Sequence, residues 1–268
     1  MPFPVRRITA AAVLLAGATV AAPASAAIVE YPRDPSGTPI AKAMARDPSL
    51  VRRAVFSALP PSSKPAAVST TRLAGFPTHG NSFGILSTGN AKIADDKNTS
   101  TESGSESRGP AIRGARDVVI MRIDLRIPRG ANCLSLDFRF LSEEFPEFVD
   151  EIFNDAFIAE LGITNWDASG KEDPTITAPN NFARDTRRNP IRVNSVGDTT
   201  VSAGQARGTT FDGATRRLRA STRVKPGNRR LYLSIFDQGD RDFDSAVFMD
   251  NLRASKASSC QTGVRASS

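Results

Sequence analysis

Histidine and cysteine are almost absent, with one His and two Cys in 268 residues. A zinc centre usually draws most of its ligands from Cys and His, and so few of either argue against a zinc site of usual composition. A Ser-His-Asp triad would have to use His79, in the turn Pro77-Thr78-His79-Gly80-Asn81, and no Gly-x-Ser-x-Gly elbow occurs. Phosphate loops and dinucleotide fingerprints are missing too. Beyond the N-terminus no segment approaches the roughly 20 apolar residues that a bilayer demands.

The N-terminus reads as an export signal. Arg6 and Arg7 precede the uncharged small-residue run 8–22, and Ala24-Ser25-Ala26 places cleavage before Ala27. The run is too short and alanine-rich for an anchor. The tail 256–268 is polar and without a sorting motif. A secreted, extracellular protein with no membrane span after signal cleavage is the expectation. Cleavage leaves 33 basic against 28 acidic residues, a net charge of about +5. That balance permits anionic partners without demanding them. The two cysteines, Cys133 and Cys260, are expected to form a disulfide in an oxidising compartment, with two unrelated thiols as the alternative. The loop closed would contribute about 4–5 kcal/mol in chain-entropy terms.

A Pro-rich lead is followed by a short helical pattern through Ile40, Ala43 and Met44, and Asp47-Pro48-Ser49 predicts a helix start for residues 50–59. From about residue 69 strands take over. Residues 118–127 alternate, with Val119, Met121, Ile123, Leu125 and Ile127 on one face and Arg122, Asp124 and Arg126 on the other. Residues 133–141 repeat the pattern, turning Leu134, Leu136, Phe138 and Phe140 inward. Further strands are expected at 157–161, 191–196, 218–224, 231–237 and 245–252, and long surface loops at 95–108 and 167–188. Short strands separated by Gly, Pro and Asn turns predict a mainly β protein, an antiparallel β-sandwich of jelly-roll or lectin-like type, with a short N-terminal helical segment. The divisions expected are a signal at 1–26, a lead at 27–68, the sandwich at 69–256 and a polar tail at 257–268.

Acidic residues gather in two runs, each beginning where a strand ends. One is Ser142-Glu143-Glu144-Phe145-Pro146-Glu147-Phe148-Val149-Asp150-Glu151, followed by Asn154-Asp155. The other is Asp237-Gln238-Gly239-Asp240-Arg241-Asp242-Phe243-Asp244-Ser245, followed by Asp250-Asn251. Crowded carboxylates repel unless neutralised, and calcium neutralises them with six to eight oxygens. The spacing is not that of an EF-hand. Asp250 shares strand parity with Ala246, Phe248 and Leu252, and a carboxylate facing a core needs a cation or several donors. The alternatives are solvated loop charges and an arginine-paired network through Arg139 or Arg241. A catalytic reading would use Glu143, Glu144 and Glu147 for glycoside hydrolysis, but no second carboxylate is placed against them by spacing. Arginines also gather at Arg184, Arg187, Arg188 and Arg192, and at Arg216, Arg217, Arg219, Arg223, Arg229 and Arg230 with Lys225. Only Phe182, Phe211 and Tyr232 lie near them, so nucleic acid is not an expected partner. The bland reading is polar strand faces, the other a polyanionic glycan or cell-wall polymer.

Four stretches together resemble the choice-of-anchor L domain family of secreted and surface-attached bacterial proteins. They are Phe83-Gly84-Ile85-Leu86-Ser87-Thr88-Gly89-Asn90-Ala91, the run from Leu136-Asp137-Phe138-Arg139 through Val149, Phe153-Asn154-Asp155-Ala156-Phe157, and Ile235-Phe236-Asp237-Gln238-Gly239-Asp240 with Asp244-Ser245-Ala246-Val247-Phe248-Met249-Asp250-Asn251. They fall in the family's order over roughly residues 40–254. The resemblance implies a β-sandwich on exported proteins, often joined to varied C-terminal anchors, with no established catalytic activity. It places both acidic runs in the most family-like stretches. The expected function is an extracellular binding or adhesion module, stabilised by calcium through Glu143, Glu144, Asp155, Asp237, Asp240, Asp244 and Asp250, with an extracellular glycan or surface protein as partner. The alternatives are a glycan hydrolase using Glu143 or Glu147 and an envelope component without a discrete ligand.

Overall fold

The computed structural model describes residues 1, 27–30, 36–61, 64–99, 109–169 and 176–267. The export signal and most of the loop 95–108 lie outside the described residues. Along the chain run β1 (Ile28–Glu30), α1 (Thr38–Ala43), β2 (Val51–Ala58), β3 (Ala66–Ser69), β4 (Phe83–Ser87), β5 (Arg116–Ile127), β6 (Cys133–Ser142) and β7 (Ala156–Leu161). Then come β8 (Ile191–Arg192), β9 (Gly213–Ala214), β10 (Leu218–Arg223), β11 (Gly227–Asp237), β12 (Ser245–Ser255) and β13 (Gly263–Ala266). The larger sheet has the order β1-β3-β4-β12-β6-β10-β13, with β9 beside the end of β6, and the smaller is β2-β5-β11-β7-β8. All these strand pairs are antiparallel.

The alternation in β5 and β6 sets the core. Val119, Met121, Ile123, Leu125 and Ile127 face Leu134, Leu136, Phe138 and Phe140 between the sheets, and Leu231, Leu233, Val247 and Met249 complete the layer. Phe138 and Phe157 pack across it at 5.1 Å between ring centroids. Each such side chain contributes about 1.5–3 kcal/mol by leaving water. Both outer faces are partly covered as well. Phe76, Phe83, Ile85, Ala246 and Phe248 cluster outside the larger sheet. Trp166 stacks on Phe236 at 4.2 Å outside the smaller one. Cys133 and Cys260 form the expected disulfide, fastening the head of β6 to the segment before β13 across 127 residues of sequence.

Residues 50–59 are not a helix. Asp47 does cap a turn, its Oδ1 accepting from Ser49 N at 2.9 Å, but that turn is a single 3-10 piece at Pro48–Leu50. The chain then enters β2, where Val51 and Ala54 bury opposite Leu125 and Ile123. Register shifts at Val51/Arg53 and Phe56/Ala58 break the period of two, so the apolar spacing imitates a helix. The sheets thus take in β1, β2 and β3 before residue 69 and β13 after residue 256.

Candidate metal centre

The two acidic runs lie on neighbouring connections. β6 and β12 end side by side, with Ser142 opposite Ser245, and Glu143 N donates to Asp244 O at 3.1 Å just beyond. From there residues 143–155 cross to the smaller sheet and enter β7. Residues 238–244 make the opposite crossing, from β11 to β12. Asn154 N donates to Gln238 O at 3.3 Å, and Gln238 N donates to Asp155 Oδ1 at 3.3 Å. A stack of rings bridges the crossings: Phe148 meets Phe153 at 5.4 Å and Phe243 at 4.9 Å. Gly239 sits beneath it at φ +108°, where a Cβ would come within 2.7 Å of the Phe153 ring.

Five of the carboxylates at this end are withdrawn from water, while Glu147, Asp150, Glu151 and Asp242 stay exposed. Glu143, Glu144, Asp155, Asp237 and Asp244 are all buried, Asp237 completely. Neither arginine considered for neutralising them does so: Arg139 donates to the backbone and side-chain oxygens of Gln205, and Arg241 donates to Gly109 O. Among the described residues, Glu144, Asp155 and Asp237 form no ion pair with lysine or arginine. Glu144 Oε2 accepts from Asp155 N at 3.1 Å. Asp155 Oδ2 and both Asp237 oxygens complete no hydrogen bond of proper geometry, and neither do Asn154 Oδ1 and Gln238 Oε1. Asp155 and Asp237 come within carboxyl-to-carboxyl reach of each other. The Thr88 and Ser245 hydroxyls approach Asp237 and Asp155 and soften their environment. Both are engaged elsewhere, Thr88 Oγ1 accepting from Ser245 N at 2.9 Å and Ser245 Oγ bonding Ser142 Oγ at 2.9 Å.

Burial therefore raises these acids. Asp237 is pushed well above the usual carboxylate range by burial first, then by the charges of Asp155, Asp244 and Asp117. Glu144 is raised well above it by burial and by Asp155 and Asp240. Asp155 is raised to about 7, mainly by burial. Asp240 is half-buried and raised by burial and by Asp242, with Arg116 acting against the shift.

Two residues missing from the sequence reading belong here. Asp117 is buried at the head of β5 with φ +44°. It reaches the cluster because Arg116 pairs with Asp237 past a register shift. Gly89 backs Asp244, since a Cβ there would lie 1.7 Å from Asp244 Oδ2. Its place in the family-like stretch 83–91 was the available signal. Asp117 lies outside both acidic runs and gave none.

Asp250 stands apart from this group. It pairs with Asp137 in mid-strand, five residues beyond Ser245. Its Oδ2 accepts from Thr78 N at 2.6 Å, His79 N at 2.7 Å and Thr78 Oγ1 at 3.1 Å, and its Oδ1 from Asn251 N at 2.6 Å. The need for several donors is met by the turn 77–81. Glu147 is exposed, whereas Glu143 is buried.

The donor set at the acidic end is all oxygen, which suits a hard cation rather than zinc. Among the described residues, no three His, Cys, Asp or Glu side chains converge as a ready-made metal cage. No helix among them is long and apolar enough to cross a membrane.

A family model described as Choice-of-anchor L domain matches residues 63–253. No curated protein matches the chain. Among solved structures, the chain is similar to a carbohydrate-binding module in complex with beta-1,4-galactotriose, at 10% identity over 85% of this chain and 99% of that one. The TM-score is 0.31, too low to carry an argument about this site.

Proposed function

The chain belongs to the choice-of-anchor L domain family, and from that premise we propose that it is a secreted extracellular binding module of the adhesion type, stabilised by calcium at the acidic end of its sandwich. The observation that carries the metal is Asp237, fully buried with two unfilled oxygens and raised by like charges around it. An isolated buried carboxylate is costly, and a divalent cation removes both the desolvation and the repulsion. Asp155, Asp237, Glu144, Asn154 and Gln238 offer hard oxygens on the two crossings, with Asp240 and Asp244 on the same loop. A bound ion would draw these oxygens together and fasten the loops that the phenylalanine stack already joins. Calcium suits such a site better than magnesium, because it accepts irregular geometry and more ligands.

The partner is read as an extracellular glycan or surface protein, and no catalysis is assigned. A hydrolytic pair must expose both carboxyl groups to the scissile bond. Glu143 is buried while Glu147 is exposed, so that pair does not support a hydrolase.

Thermal melting tests the ion. Excess calcium is expected to raise the Tm by several degrees and a chelator to lower it, with magnesium giving a smaller shift; about 1 kcal/mol corresponds to roughly 2–4 °C in a chain of this size. A Tm indifferent to calcium and chelator alike removes the metal from the proposal. A polysaccharide panel tests the rest: saturable binding without turnover supports a module, and turnover lost in Glu143→Gln supports a hydrolase.

A further inference from the structure

We propose that a basic groove on the smaller sheet is the glycan site, and that it takes a carboxylated polysaccharide. This deepens the binding-module reading and rests on it. The groove, of about 760 Å³, is lined by Arg52, Arg53, Arg229 and Arg230 against a single acid, Asp124. Its arginines come from distant parts of the sequence, β2 and the head of β11, and meet because both strands flank β5. Arg53 and Arg230 are each paired in register with Asp124. Their Cα atoms therefore stand about two strand spacings, roughly 10 Å, apart on one face.

The arginines differ in how they are held. Arg53 Nε donates to Asp124 Oδ2 at 2.7 Å, yet its side chain stays 64% exposed. Arg229 is braced on its own turn, donating to Asn228 O at 2.7 Å and Pro226 O at 2.9 Å. The Arg230 guanidinium is exposed and engages no partner among the described residues. Two exposed planar forks beside one partly neutralising acid make a surface that attracts anions. Arginine matches carboxylates bidentately, which favours a repeated carboxylate over a point charge.

The lining also selects the kind of polymer. No aromatic ring lines the groove, so neither stacked bases nor a neutral sugar ring has a platform. The chain's one tryptophan is buried under Arg113 and against Phe236. Leu125 is the one apolar lining residue and is fully buried. A protein partner ordinarily seats apolar or aromatic anchors in pockets, and none is offered. A ligand polar along its whole length and negatively charged at intervals fits what is there.

Titration calorimetry of the full chain with oligogalacturonate is the test. Saturable binding that weakens as salt rises is expected. The double variant Arg53→Ala, Arg230→Ala should weaken it about tenfold or more, because two charge-assisted forks are lost. Arg187→Ala with Arg207→Ala removes the same charge elsewhere on the surface and should leave affinity within about twofold. Unchanged melting shows that both variants fold. Carboxylate binding that survives the groove variant leaves the module reading intact and overturns the groove. Equal binding of the methyl-esterified oligosaccharide, of dextran sulfate or of poly-glutamate overturns the carboxylated polysaccharide as its occupant. Binding to no glycan, charged or neutral, overturns this inference together with the reading beneath it.

Discussion

Two groups of buried carboxylates, both touching β12, have been given opposite surroundings. Asp137 and Asp250 lie in mid-sheet and are furnished with donors. Arg219 donates to both oxygens of Asp137, Asn251 Nδ2 adds a bond at 2.9 Å, and the Thr78 hydroxyl, whose single proton is shared with Asp250, lies at 3.2 Å. Burial alone would raise Asp137, but these donors outweigh it and hold the carboxyl below its usual range. Glu144, Asp155 and Asp237 lie one strand end away with no such cation, and burial carries all three upward. Asp250 has four donors but no cation, and burial still raises it, so Asp137 with Arg219 is the fully compensated acid and the acidic end has no equivalent. The proposed metal site rests on that contrast between a compensated polar network and an uncompensated one.

The largest effect should come from damaging the satisfied pair. Arg219→Leu leaves Asp137 buried without its counter-charge, which typically costs about 3–5 kcal/mol when one partner of a buried pair is removed. Arg219 itself is only 20% exposed, so water can replace it only in part. Urea unfolding with and without calcium should show the same loss in both conditions. A loss that calcium rescues would mean that the two groups are one system and that the contrast is wrong.

The sequence shows the contrast only in part. The β5 strand was legible because five apolar residues alternate without interruption. The β2 strand was not, because two bulges shift its period and Asp47-Pro48 supplies a genuine cap just before it. Parity showed that Asp250 faces a packed surface and needs donors or a cation. Which of the two it receives depends on Thr78 and His79, over 170 residues away, and no local pattern carries that information. The acidic runs were legible as crowding. Their burial was not, since loop acids are solvated unless the connections fold back on each other, as the Phe148–Phe153–Phe243 stack makes these do.

Asp137 and the acidic end should also respond to pH with opposite sign, while Asp250, raised by burial despite its backbone donors, shifts in the same direction as the acidic end. Asp137 titrates below its unfolded value, so it contributes stability above about 3.8 that disappears as acid reaches its native value. Asp155 titrates near 7 in the native state. Between roughly 4 and 7 the native chain keeps a proton that the unfolded chain has lost, so stability falls as pH rises and the full penalty is present above 7. The cost from Asp155 is on the order of 4 kcal/mol at about 1.4 kcal/mol per unit, and Glu144 and Asp237 act in the same direction. Melting in chelator should therefore show a maximum on the acid side of neutrality. Saturating calcium should flatten the alkaline limb and leave the acid limb alone. An alkaline limb unchanged by calcium would break the link between these acids and the metal.

The smallest change separates charge from packing at the acidic end. Asp237→Asn keeps the shape of a completely buried side chain but removes its charge from beside Asp155, Asp244 and Asp117. In chelator near pH 8 the variant should be more stable than the parent by about 1–3 kcal/mol, because a buried unpaired charge is gone. In calcium the order should reverse, since a metal ligand has lost its anionic oxygen while the remaining acids still repel. A structural aspartate would behave differently, losing stability in both conditions as Arg219→Leu is expected to do. The sign of the substitution with and without calcium is therefore the sharpest test, because global loosening of the fold cannot produce a reversal.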